Sequence, residues 1–163
     1  MELDKKGIAI GETTEDKKQR KRFIANVYKT WETENPQKQI FNHSLKDFVH
    51  VKHISVKETA GQASSRYIST LAITFLSEIL EYAIQKGLPQ NANPKKDNQK
   101  GFEKIIVMEY DKKEFGKIKL TVGVKRGTKE KVQYCITAID IISINFLSHY
   151  FSMICESYAI RKR

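Results

Sequence analysis

The sequence predicts an α+β fold in which N-terminal helices and one long buried helix pack on a small antiparallel β-meander, with a C-terminal hydrophobic helix or tail. Three observations predict this fold. Apolar residues at helical spacing fill the first half, three strand-like segments with short connections follow, and the chain becomes strongly apolar after residue 140. Its 163 residues, 40% of them hydrophobic and 29% charged, predict one domain with its own core. We assign residues 1–14 to a mobile N-terminus, 15–140 to a single α+β domain and 141–163 to the tail.

The first helix is predicted to begin within a polar segment, residues 12–16. This segment supplies capping hydroxyls and acidic side chains suited to the positive end of a helix dipole. Apolar side chains at spacings of one, three and four then share one face: Phe23, Ile24, Val27, Tyr28 and Trp31. The pattern ends before Asn35-Pro36. The basic run at residues 17–22 is interpreted as a solvated flank, with phosphate contact as the alternative.

The next elements are a short strand and two helices. Alternation around Val49 and Val51 predicts a strand, and Ser55 with Glu58 matches a capping box that would begin a second helix. The strongest periodic signal in the chain covers residues 67–84 and ends at Gly87-Leu88-Pro89. It predicts one continuous buried helix as the spine of the fold.

Three strands are predicted over residues 102–110, 117–126 and 131–139. The connections between them are too short for crossover helices, so neighbouring strands must be antiparallel. The middle strand alternates apolar residues with lysines, which predicts one buried face and one basic face. Residues 90–101 are polar and aperiodic and are predicted to form an exposed loop.

The C-terminal segment raises the question of a membrane. Residues 136–155 approach the length of a transmembrane helix, but Asp140, Asn145 and His149 interrupt them, so we do not expect a membrane partner. The polar start of the chain does not resemble a secretory signal. Cys135 and Cys155 are too few for a disulfide scaffold, so the cytoplasm is the expected location.

A net charge of +10 predicts an anionic partner, and RNA or another nucleic acid ranks ahead of a lipid surface. The residues expected to bind nucleic acid are basic side chains near or on the predicted strands: Lys52, Lys119, Lys125 and Arg126. Tyr134 on the neighbouring strand would offer a ring for stacking. A charged but merely solvated sheet surface is the alternative.

The strongest catalytic signal is a cluster of three histidines, His43, His50 and His53, among lysines. Imidazoles exchange protons near neutrality, and nearby cations stabilise a developing negative charge. This combination suits RNA cleavage without a metal, although unreactive surface histidines are the alternative. His50 and His53 would point to opposite faces of a strand and lack a ligand set, so no metal or other cofactor is expected.

A family resemblance rests on three stretches of sequence. They are residues 42–45 with 53–59, the long apolar helix, and the strands KLTVGVKR and VQYCITAID. Over residues 39–140 the chain resembles the phage- and mobile-element-associated domains of the barnase, EndoU, colicin and RelE nuclease superfamily, which are often embedded in large polyvalent proteins. The tail after Asp140 does not fit this pattern.

The resemblance implies a ribonuclease-like cleft on the open face of the sheet. The residues that it places there are His50 or His53, Lys57, Arg66, and Tyr134 or Thr137. We expect a metal-independent endoribonuclease in which His53, or else His50, is the general acid or base, while Lys57 and Arg66 stabilise the phosphorane. A protein inhibitor or a larger polyprotein is a possible partner. The alternatives are a non-catalytic module that binds nucleic acid or protein through the basic sheet, and a structural role in a particle.

Overall fold

The computed structural model describes residues 1–139 and has an α+β fold, as the sequence predicts. Four α-helices occur in this part of the chain: α1 (Thr14–Glu34), α2 (His53–Ala63), α3 (Tyr67–Ala72) and α4 (Leu76–Tyr82). The strands are β1 (Gln39–Asn42), β2 (Asp47–His50), β3 (Ile84–Gln85), β4 (Gln90–Asn91), β5 (Phe102–Lys112), β6 (Gly116–Lys125) and β7 (Lys131–Ala138). The predicted tail lies outside the described residues.

The strands form one mixed sheet in the order β1-β2-β7-β6-β5-β3, with β4 also pairing with β5. The predicted meander is present, because β5, β6 and β7 pair antiparallel in sequence order. The predicted single early strand is instead a hairpin, β1 and β2. Strand β2 lies parallel to β7, a pairing that requires a long connection, and α2, α3, α4 and strands β3 to β6 lie between the two strands in the chain.

The core lies between one face of the sheet and the helices. On β6 this face carries the predicted apolar set, Ile118, Leu120, Val122 and Val124, all of them buried. The first helix contributes Ile24, Tyr28 and Trp31, as its periodicity predicts. Thr13 and Asp16 cap this helix reciprocally through side-chain and backbone hydrogen bonds.

The predicted mobile N-terminus is instead folded against the domain. Ile8 and Ala9 are fully buried. The buried guanidinium of Arg20 donates to the carbonyl oxygens of Ala9 at 2.8 Å and Gly11 at 2.6 Å. The same group donates to Ser64 at 2.8 Å, which joins the N-terminal segment to the end of α2. Arg20 lies within the basic run at residues 17–22. Its buried position could not be predicted there, because it depends on contacts with residues far away in the sequence.

The predicted continuous helix over residues 67–84 is broken into α3, a 3₁₀ turn at Ile73–Phe75, and α4. Thr70 donates to the carbonyl oxygen of Arg66, and Thr74 donates to that of Leu71. Hydroxyl groups bonded back to helix carbonyls compete with the regular ladder and bend a helix. Half of the residues with this apolar spacing lie in the core: Ala72, Leu76, Ile79, Leu80 and Ala83. The others are partly exposed, and Ile84 is fully outside the core.

The second helix also begins earlier than predicted, at His53. Ser55 is therefore inside the first turn, where its Oγ accepts from the backbone N–H of Lys52 at 2.9 Å and donates to the carbonyl oxygen of Gln133. The predicted capping box between Ser55 and Glu58 is wrong. Its serine is instead used to join α2 to β7.

The other face of the sheet is partly covered. Residues 90–101 are mostly exposed, as predicted, but they cross this face and place Ala92 in a second buried cluster with Phe102, Ile105, Val132, Tyr134 and Cys135. The Phe102 ring lies against Gly123, where an added Cβ would be only 2.6 Å away. We call the uncovered remainder the open face. Among the described residues, no helix has the length and apolar character needed to cross a bilayer.

Candidate functional site

The site begins where β2 ends beside the start of β7. Val49 faces the core and is fully buried, so its neighbour His50 points to the opposite, open face. His50 is directly paired with Val132 of β7. Across that pairing, Nε2 of His50 lies 3.9 Å from Oε2 of Glu130. The parallel β2–β7 pairing therefore brings together two groups that are 80 positions apart in the chain.

Glu130 is surrounded by three basic side chains. Its Oε1 lies 2.6 Å from Nζ of Lys52 and 4.0 Å from Nζ of Lys125, in addition to its contact with His50. The Lys52 ammonium is the main reason that the pKa of Glu130 is below its ordinary value, and His50 and Lys125 act in the same direction. This carboxylate is consequently ionised at neutral pH. We call His50, Lys52, Lys125 and Glu130 the basic cluster.

The start of α2 extends this cluster. His53 and Lys57 are exposed and four residues apart, so they lie on the same helix face. His53 is the first residue of the 11-residue α2, where free backbone N–H groups and the helix dipole favour an anion. No described residue forms a hydrogen bond or an ion pair with His53. Its imidazole is exposed to solvent at the start of α2.

Two hollows meet at His53. The first has a volume of about 390 Å³ and is lined by both predicted catalytic histidines, together with Glu32, Gln37, Lys38, Val51 and Lys52. The second, of about 630 Å³, lies between α2 and the covering loop and is lined by His53, Ile54, Lys57, Glu58, Lys96, Asp97 and Asn98. The structure thus brings His50, Lys52, His53 and Lys57 together along one surface.

Arg66 lies at the other end of α2. Its Nη2 donates to the carbonyl oxygen of Ala138 at 2.6 Å and to Oγ of Ser69 at 3.0 Å. With a rise of about 1.5 Å per residue, the length of α2 separates Arg66 from His53 by about 15 Å or more. Arg66 lines neither of the two hollows at His53. Its expected role beside His53 around a single phosphorane stays a prediction.

Arg66 is held in this position because it binds the edge of β7 that is not paired with another strand. Beyond its short pairing with β2, this edge is covered by side chains of α2 and α3. Ser55 binds Gln133, Oγ1 of Thr59 accepts from the backbone N–H of Ile136 at 3.3 Å, and Ser69 and Arg66 bind Ala138. These contacts satisfy backbone groups that would otherwise be exposed on a sheet edge. Arg66 thus has a structural role.

The remaining predicted residues are dispersed. Tyr134 is only 6% exposed and packs edge to face on Phe102, so its ring does not face an open cleft. Thr137 and Lys119 are directly paired near the far end of the open face. Arg126 is exposed in the β6–β7 turn. Of the predicted binding residues, Lys52 and Lys125 are those that join the basic cluster.

Glu130 could not be identified from the sequence. It lies in the turn before the last strand, and nothing in its local pattern distinguishes it from other turn residues. Only the non-consecutive pairing of β2 with β7 places it beside His50. Among residues 1–139, no group of three or more His, Cys, Asp or Glu side chains is arranged to hold a metal ion.

Comparisons of the chain with protein-family models, with curated proteins and with solved structures give no match. The fold defines its class, an α+β protein with helices packed on one face of a mixed sheet. Where β2 ends and α2 begins, the chain forms a basic, histidine-bearing surface.

Proposed function

We propose that this chain is a metal-independent endoribonuclease of the barnase, EndoU, colicin and RelE type, with its active site at the hollow between β2 and α2. The observation that carries the proposal is that His50 and His53 line the same hollow, with Lys52 between them in sequence and on its wall. Two imidazoles beside a cation are the groups needed for acid–base cleavage of RNA.

The reaction follows from these groups. One imidazole removes the proton of the ribose 2′-hydroxyl, and the 2′-oxygen attacks the adjacent phosphorus. The other imidazole donates its proton to the 5′-oxygen as the bond from phosphorus to that oxygen breaks. The products are a 2′,3′-cyclic phosphate and a free 5′-hydroxyl. Lysine ammonium groups at the hollow stabilise the additional negative charge on the phosphorane.

The contacts of the two histidines assign their roles. His50 lies beside the Glu130 carboxylate, which is 3.9 Å from its Nε2 and can orient the ring, so His50 is proposed as the general acid. His53, which has no partner among the described residues, is proposed as the general base. Lys52 and Lys57 flank His53 on the hollow surfaces and would contact the phosphate.

A second function has its own supporting observation. The Lys52 ammonium is 2.6 Å from Glu130, and Arg66 is bound to Ala138, so two of the expected phosphate ligands already have protein partners. A non-catalytic module that binds nucleic acid through Lys125 and Lys119 on the basic sheet would not need these two residues. This function predicts salt-sensitive binding without any product.

The cellular setting is proposed from the resemblance. It suggests a cytoplasmic domain of a phage or mobile element, carried within a larger polyprotein or held by a protein inhibitor. An inhibitor would need acidic side chains to cover the basic cluster, because complementary charge governs such recognition.

The direct experiment is incubation of the full chain with single-stranded RNA in EDTA. We expect cleavage, reduced about 10²-fold or more by His50→Ala and likewise by His53→Ala. Lys18→Ala is the matched control, because Lys18 is an exposed residue of α1 paired with Glu15, and this variant should cleave like the wild type. Absence of cleavage at high protein concentration, or cleavage unchanged in the double histidine variant, would refute the enzyme proposal.

A further inference from the structure

Four aromatic rings form a continuous strip on the β1–β2 hairpin and the end of α4. We call Phe48, Phe41, His43 and Tyr82 the aromatic strip. The centroid of Phe41 is 5.6 Å from those of Phe48 and His43, and His43 stacks on Tyr82 with centroids 5.4 Å apart. Phe41, Phe48 and Tyr82 are 41%, 43% and 52% exposed. Large aromatic rings are thus held in fixed contact at the protein surface.

The strip adjoins the proposed active site. Phe48 and His50 are two residues apart on β2, so they point to the same face and are about 7 Å apart along the strand. Phe41 is directly paired with Phe48 and shares that face. An extended ligand whose phosphate contacts His50 would therefore have its next groups over Phe48 and Phe41.

The hairpin core does not require these rings. Val49, on the opposite side of β2, is fully buried, and Ile40 packs on the same core from β1. The phenylalanines instead occupy the solvent side of an edge hairpin, where polar residues would be expected. Contiguous exposed apolar surface of this kind marks an interaction site.

Charge around the strip favours an anionic ligand. Lys46 is exposed in the hairpin turn, and Lys38 lies on the wall of the hollow, where its Nζ is 3.8 Å from Oε2 of Glu32. Glu81 contacts His43 at 3.2 Å and is the acidic residue at the far end of the strip. Aromatic rings beside cations, in a chain of net charge +10, match the combination that binds single-stranded nucleic acid.

We propose that the aromatic strip is a base-stacking platform that selects single-stranded RNA. The inference rests on the proposed function and names its substrate class: a phosphate enters the hollow at His50, and unpaired bases beside it stack on Phe48 and Phe41, with His43 and Tyr82 extending the platform. Bases within a duplex are already stacked on one another and cannot cover these rings. Duplex RNA is thus a poor ligand for this surface.

Fluorescence anisotropy with 2′-O-methyl RNA tests the inference, because this strand lacks the nucleophilic hydroxyl and remains intact. Three labelled probes of equal length are compared: a single strand, its duplex, and an abasic strand that keeps the phosphates. We expect the abasic strand and the duplex to bind at least about 10-fold more weakly than the single strand. Phe48→Leu should weaken single-strand binding about 5-fold or more, and Phe48→Tyr should preserve it.

A control variant and the abasic strand make the result independent of the folding of Phe48→Leu. Leu88→Ala is the matched control, since Leu88 is 88% exposed and lies off the strip, and it should bind like the wild type. The abasic comparison uses wild-type protein, so the test stands even if Phe48→Leu fails to fold.

Equal binding of the normal and abasic strands, or RNA binding unaffected by Phe48→Leu, would overturn the inference and assign the strip to a protein partner or a second copy of the chain. Strip-dependent binding without cleavage of ordinary RNA would instead refute only the enzymatic proposal. If no probe bound, the inference would fail, and the cleavage experiment would decide the enzymatic proposal separately.

Discussion

Replacing Thr59 with valine should destabilise the fold by about 2–4 kcal/mol, because Thr59 is the centre of a buried polar network between α2 and β7. Its Oγ1 accepts from Nε2 of Gln133 at 2.9 Å and from the backbone N–H of Ile136 at 3.3 Å. The Tyr28 hydroxyl lies 3.3 Å from the same oxygen and donates to Oε1 of Gln133 at 2.7 Å. Thr59 and Gln133 are both fully buried.

The magnitude follows from the donors that lose their partner. Valine has the shape of threonine but no acceptor, so the Ile136 N–H and one Gln133 N–H would be left buried and unpaired. Each such group costs about 1–3 kcal/mol, and water cannot replace the oxygen at a fully buried position. For a chain of this size, a loss of about 2–4 kcal/mol lowers the melting temperature by about 5–15 °C.

Urea and thermal unfolding of the full chain, followed by circular dichroism, would measure this loss. Thr33→Val is the matched control, because the Thr33 hydroxyl is exposed and donates within α1, and its effect should stay within about 0.5 kcal/mol. Adding Gln133→Leu to Thr59→Val should cost less than the sum of the two single changes, because it removes the unpaired amide. A Thr59→Val protein as stable as the Thr33→Val control would refute the account of this network.

Three further predictions concern the basic cluster and the covered face. The pKa of Glu130 is depressed in the folded chain, so its stabilising contribution is present above the ordinary carboxyl value of 4.5 and is lost as the pH falls through the folded value. In urea titrations, the difference in free energy of unfolding between the wild type and Glu130→Gln should therefore become smaller below about pH 5. A difference that does not change with pH would contradict this. Gly123→Ala should lower the melting temperature, because the added Cβ would clash with the Phe102 ring. Gly61→Ala should raise the melting temperature slightly, because the added Cβ meets nothing within 4 Å and alanine favours the helix α2. A lower melting temperature for Gly61→Ala than for Gly123→Ala would be inconsistent with this packing. If Lys125 contacts phosphate, Lys125→Ala should reduce the salt slope of RNA binding by about one, and an unchanged slope would remove it from the interface.

The meander and the core residues could be predicted from the sequence, since both depend on local patterns. The alternation of Ile118, Leu120 and Val122 predicts a strand with one buried face. The connections between β5, β6 and β7 are too short for a crossover, so neighbouring strands must pair antiparallel. The periodicity of α1 similarly identified Tyr28 and Trp31. The helix break near Thr74 was missed, because back-bonding by a hydroxyl does not alter the apolar spacing.

The site was only partly predictable. The sequence pointed to His50, His53, Lys52 and Lys57 because they are close along the chain, and they line adjoining hollows. Glu130 could not be found, since its place beside His50 depends on a parallel pairing between strands far apart in sequence. The contacts of Arg66 with Ala138 and of Tyr134 with Phe102 could not be predicted for the same reason, because they join segments far apart in the sequence.

The most direct test of the central claim uses a DNA strand that contains one ribonucleotide, incubated with the wild-type chain in EDTA. If His50 and His53 catalyse transfer to the 2′-oxygen, the strand should be cut only after the ribose, and the upstream product should end in a 2′,3′-cyclic phosphate. Cleavage of an all-DNA strand, products ending in a 5′-phosphate, or an intact strand after prolonged incubation would contradict the account.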